Sequence, residues 1–84
     1  MTTQTIQQTE RLTTERQYQA DIRYQIALLA DPVRRVAACR HLSGQMQTSA
    51  TACRLVREAT GAHPHLPVRR RCAYLLENRS CSAH

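Results

Sequence analysis

Four cysteines and four histidines in a chain of 84 residues are the side chains best suited to hold a metal or attack a substrate. A structural zinc site draws its ligands in pairs such as C-x2-4-C or H-x3-5-H, which bring two donors to one side of a turn or helix. Cys39 and His41 stand two apart in a helical stretch, about 200° round from each other. His63 and His65 flank Pro64 and alternate sides in an extended connector. No metal and no other cofactor is therefore expected. Catalysis has as little footing. The only aspartates are Asp21 and Asp31, and the only glycines, Gly44 and Gly61, are too far apart for a phosphate-cradling loop. Cys53, near a helix start with Arg54 and Arg57 close by, is the best nucleophile candidate, and packing as a structural thiol is the preferred role for it. The chain is expected not to be an enzyme.

Charge says more. The net charge is +6 and the isoelectric point about 9.9, which points to an acidic partner, either nucleic acid or an acidic protein surface. All twelve basic residues are Arg. Its planar fork grips phosphate and carboxylate bidentately, where Lys would act as a point charge. The same bias, with a single Asn and few Ile, also reads as GC-rich coding, hence a bacterium or its phage. The candidate binding residues are Arg54 and Arg57 on one segment and Arg69, Arg70, Arg71 and Tyr74 on the next, with Arg71 at the margin of an apolar stripe.

Those side chains must be positioned by helices. Ala52, Leu55, Val56 and Ala59 recur at i, i+3, i+4 and i+7, and Val68, Cys72, Leu75 and Leu76 at i, i+4, i+7 and i+8, each the stripe of a helix with one buried face. Gly61 supplies a left-handed residue to close the first of these helices, and Pro67 suits the first turn of the second. Upstream, Tyr18, Ile22, Ile26 and Leu29 form another stripe. Asp31-Pro32 breaks it: Asp31 caps and Pro32 begins a helix that ends at Ser43-Gly44. On that helix Val33, Val36 and Ala37 share a face. A connector, Gln45-Met46-Gln47, then leads to a cap at Thr48 or Ser49. The predicted fold is all-α: a single domain, a small bundle of three to four short helices at about 10–30, 32–42, 48–60 and 67–79, with 1–9 and 80–84 flexible.

The core is small. Of the apolar residues eleven are Ala and four are Cys, and packing falls to eight Leu, four Val and three Ile, with no Phe or Trp. Self-association is a common remedy for so little buried area, so a homodimer is the expected oligomer. No apolar run reaches membrane-spanning length and the N-terminal stretch has no signal-peptide pattern, so a cytoplasmic protein with free thiols and no membrane partner is expected.

From Leu55 to Arg79 the chain resembles a helix-turn-helix: a helix, a Thr-Gly turn and an Arg-rich helix whose early side chains would meet bases and phosphates. Ala30-Asp31-Pro32-Val33-Arg34-Arg35 resembles the opening of small bacterial winged-helix repressors. The pattern departs at Arg57, where tight helix packing asks for Ala, in a turn about one residue longer than usual, and in the lack of a wing after Arg79. The expected function is a non-enzymatic, nucleic-acid-binding regulator using an Arg-rich helix surface. The alternative is a bacterial or phage interaction module docking on an acidic protein. An inhibitor of host nucleic-acid machinery of the anti-CRISPR type, or a small chaperone or adaptor, would fit that class, and the former would act in the host cytoplasm.

Overall fold

The computed structural model describes the backbone of residues 2–78 and the side chains of residues 13–78. Four helices follow one another: α1 (Thr2–Leu28), α2 (Arg35–Thr48), α3 (Ala50–Ala62) and α4 (Leu66–Glu77). There is no strand among the described residues. The expected tail at 80–84 lies outside them, as do the side chains of the expected flexible segment 1–9. The all-α bundle predicted from the stripes is the fold observed.

The stripe of α1 packs as its spacing requires, with Ile22, Ile26 and Leu29 buried and Tyr18 half-buried against the same core. Tyr18 Oη donates to Gln45 Oε1 at 2.7 Å and ties α1 to α2. The helix backbone begins at Thr2, well before that stripe. No Pro or Gly interrupts the first 28 residues, so a helix nucleated by the packed half meets no breaker as it propagates. At its other end α1 tightens into i to i−3 bonds, with the Leu29, Ala30 and Asp31 amides donating to Ile26, Ala27 and Leu28. The Arg35 Nε donates to the Leu29 carbonyl at 2.8 Å, a cation placed where the helix end is negative.

The second helix departs most from expectation. Pro32 opens a turn rather than the helix: Asp31 Oδ1 accepts from the Val33 amide at 2.9 Å, and α2 starts only at Arg35. Ser43-Gly44 does not end it, and Gln45-Met46-Gln47 is its last full turn rather than a connector. The buried residues are Ala38, Leu42, Ser43 and Met46, one face at helical spacing, while Val33 is 89% exposed and Val36 61%. Burial of Leu42 and Met46 one turn apart outweighs the weak helix propensity of the glycine between them. Gly44 has no positive φ, and a Cβ added there would meet nothing within 4 Å. Gly44→Ala is therefore expected to stabilise the fold by about 1 kcal/mol. Thermal melting followed by circular dichroism should show a midpoint about 4–8 °C higher. A lower midpoint would restore Gly44 as a breaker.

Ser49 caps α3, its Oγ accepting from the Ala52 amide at 3.1 Å. Gly61 is not a left-handed terminus. It lies inside α3, and His63, extended at φ −65° and ψ 135°, closes the helix. The link to α4 is only His63-Pro64-His65, pinned by the His65 amide donating to His63 Nδ1 at 3.1 Å. Pro67 falls in the first turn of α4. The α3 and α4 stripes bury Ala52, Cys53, Leu55, Val56, Val68, Cys72 and Leu75 against α1 and α2. These two helices make the most extensive pairing, whereas α2 and α4 scarcely touch. No helix among the described residues is long and apolar enough to cross a membrane.

Candidate binding groove between α2 and α4

Because α2 and α4 stand apart, a groove opens between them, and its composition differs from the rest of the surface. On α4, successive residues advance by 100°. Val68, Cys72 and Leu75 point into the core, which turns Pro67, Arg70, Arg71 and Tyr74 outward over one arc. Tyr74 sits near the middle of that arc, 57% exposed. Across the gap stands Arg35, held by its Nε at the α1 terminus with its two terminal nitrogens left over. A cavity of 390 Å³ is lined by Arg35, Pro67, Arg70, Arg71 and Tyr74. A second, of 320 Å³, adjoins it through Tyr74 and is lined by Cys39, Arg40, Ser43, Leu75 and Asn78.

The groove is electropositive because its guanidinium groups have no carboxylate partner among the described residues. Among the described residues the ion pairs are Arg34–Asp31 at 3.9 Å, His41–Asp21 at 3.4 Å and Arg54–Glu58 at 3.0 Å. None involves Arg35, Arg40, Arg70 or Arg71. Four like charges converging without a carboxylate is repulsive in isolation and favours an anion in the groove.

The six residues expected to form the binding surface do not act as one patch. Arg70, Arg71 and Tyr74 come together. Arg69 turns away from them, half-buried, with its Nε sealed from solvent and without a hydrogen-bond partner. Arg54 and Arg57 lie on the outer face of α3, outside the groove, and Arg54 is engaged by Glu58. Arg35, Arg40, Cys39, Ser43 and Asn78 were not anticipated. A signal existed for three of them: Arg35, Cys39 and Ser43 fall at i, i+4 and i+8, a polar flank running beside the apolar one.

One group lining the second cavity and one in the core are unusual. Ser43 is 7% exposed, and its Oγ has no hydrogen-bond partner, not even a helical carbonyl four residues back. An unsatisfied buried hydroxyl costs about 1–3 kcal/mol. Beneath the groove, burial pushes the Cys72 thiol up from 9.0 to about 11, and the neighbouring Cys39 charge adds to the shift. The folded state thus favours the neutral thiol. Its contribution is fully present below pH 9 and is lost as pH rises through 11, a change of about 3 kcal/mol. Urea unfolding across that window should show a steeper loss for the wild type than for Cys72→Val. Parallel curves would exclude the linkage.

The remaining features are less distinctive. A cavity of 370 Å³ between α1 and α3 is walled by Ile26, Leu55, Ala59 and Ala62, and Arg23, Glu58 and His63 give its rim both signs of charge. Cys53 is buried, and its Sγ donates to the Met46 carbonyl at 3.1 Å, which places it in the core. Among the described residues no three of His, Cys, Asp and Glu gather as metal ligands. No family model matches the chain, and no curated protein or solved structure matches it either.

Proposed function

We propose that the chain is a non-enzymatic nucleic-acid-binding regulator, and that the groove between α2 and α4 is where it meets the phosphate backbone. One observation carries this: Arg35, Arg40, Arg70 and Arg71 line adjoining cavities without a carboxylate partner among the described residues. Guanidinium forks suit phosphate oxygens, and an aromatic ring between them suits a base. As a homodimer, the expected way to enlarge so small a core, it would carry two such grooves. Its place of action would be the cytoplasm of a bacterium, or of a phage-infected host.

A fluorescence-anisotropy titration with labelled DNA at several salt concentrations tests this reading. Four phosphate contacts predict log affinity falling by about 3 to 4 per log unit of salt. No binding even at low salt removes nucleic acid as the partner. The second reading, docking on an acidic protein surface as a phage inhibitor or adaptor would, is favoured by the exposed Val33 and Val36 near the same guanidinium groups. Such an interface would survive salt better than a purely phosphate-bound one, because apolar burial is not screened.

A further inference from the structure

We infer that the groove takes one nucleotide unit of an unpaired strand, with phosphate in the cavity of Arg35, Arg70 and Arg71 and base in the cavity of Cys39, Ser43, Leu75 and Asn78. The inference rests on the nucleic-acid reading above and narrows it to single-stranded substrate.

The two cavities divide by chemistry. The first offers three guanidinium groups and little else besides Pro67 and Tyr74. The second has a single guanidinium, Arg40, at its edge, with a thiol, a Leu side chain and two groups able to read a base edge. The Ser43 hydroxyl is unpartnered and closed to solvent, so it meets a base by rotating about χ1 into the cavity that its residue lines, where it can donate or accept. Asn78 donates through Nδ2 to the Tyr74 carbonyl at 2.9 Å, and that bond leaves Oδ1 to accept from a base. Tyr74 borders both cavities, where a phenol ring would stack on a base whose phosphate lies at the other end. Volumes of 390 and 320 Å³ fall in the range of small-ligand sites, about 300–1,000 Å³.

Shape selects the strand over the duplex. A major groove admits a helix that stands proud of the protein surface. Here the outward side chains of α4 are bounded by Arg35, Cys39 and Arg40 of α2, so the surface is a cleft, and a cleft receives a strand. Bases in a duplex are stacked on one another and offer no free face to Tyr74, whereas those of a single strand do.

Anisotropy at low salt with three probes of equal length decides the matter: a ten-nucleotide oligothymidylate, an abasic strand with the same phosphates, and a blunt duplex. Oligothymidylate is expected to bind about tenfold more tightly than the abasic strand, the size of one base stacked on an aromatic ring. Tyr74→Leu should shrink that preference to about twofold or less, Tyr74→Phe should retain it, and Ser43→Ala should reduce it. Equal affinity for the base-bearing and abasic strands, or tighter binding of the duplex, overturns the inference and leaves the nucleic-acid reading standing. Failure of all three probes to bind removes both.

Discussion

Replacing Arg70 and Arg71 together with Gln is expected to lower nucleic-acid affinity about 100-fold at low salt without moving the thermal midpoint. Both side chains are exposed on α4 and neither is ion-paired among the described residues, so their removal leaves no internal charge stranded. Gln matches Arg closely in helix propensity, so α4 itself should persist. A hydrogen bond to a charged group contributes about 1.5–3 kcal/mol, and two at the lower end give about 3 kcal/mol, or about two decades in affinity. The salt slope should fall by about 2 at the same time, since two fewer counterions are released. The companion variant carries Gln at Arg54 and Arg57 on the outer face of α3. It changes net charge by the same amount but lies outside the groove, so its loss should be several-fold at most. Equal losses from the two pairs would mean that overall charge, and no localised groove, drives binding.

Much of the fold was legible because three of the four helices carry their apolar residues at one spacing. Of the stripes of α1, α3 and α4, Ile22, Ile26, Leu29, Ala52, Leu55, Val56, Val68, Cys72 and Leu75 are buried, and Tyr18, Ala59 and Leu76 are half-buried against them. Ser49 was legible as a cap because its side chain competes for the amides of the first turn. The glycines misled. Gly is a common helix terminus because it adopts positive φ without strain, yet neither Gly44 nor Gly61 does so here. Where side chains on both sides of a glycine have a core to enter, as Leu42 and Met46 do, the helix continues through it. A local propensity of about 1 kcal/mol yields to tertiary burial of larger size.

The candidate site was legible by half. The basic face of α4 follows from its own stripe, because fixing Val68, Cys72 and Leu75 inward leaves Arg70, Arg71 and Tyr74 outward. Arg69 could not be separated from its neighbours by type, and it lies on the side of α4 away from Arg71. The opposite wall of the groove depends on how α2 is rotated, and the sequence offers α2 two competing faces. Val33, Val36 and Ala37 are one and Ala38, Leu42 and Met46 are the other. Choosing the first points Arg35 and Cys39 elsewhere and hides the groove. Choosing the second, as the structure does, brings Arg35, Arg40 and Ser43 opposite Tyr74.

That rotation predicts opposite signs for two truncations six residues apart. Leu42 is fully buried, one of nine large apolar side chains in a core otherwise completed by Ala38, Ala52, Cys53 and Cys72. Leu42→Ala is expected to cost about 3 kcal/mol, the lost transfer energy plus the cavity left in a core too small to collapse around it. A domain of this length has a stability of about 4–13 kcal/mol, so the midpoint should fall by about 10–25 °C. Val36→Ala should instead be neutral or stabilising by a few tenths of a kcal/mol, since an exposed β-branched residue gives way to the best helix former. Differential scanning calorimetry of the two variants at two protein concentrations measures both. Destabilisation by Val36→Ala with Leu42→Ala silent would mean that α2 is rotated the other way and the groove is lost with it. Destabilisation by Val36→Ala only at high protein concentration would show a second copy covering the face that α2 leaves exposed.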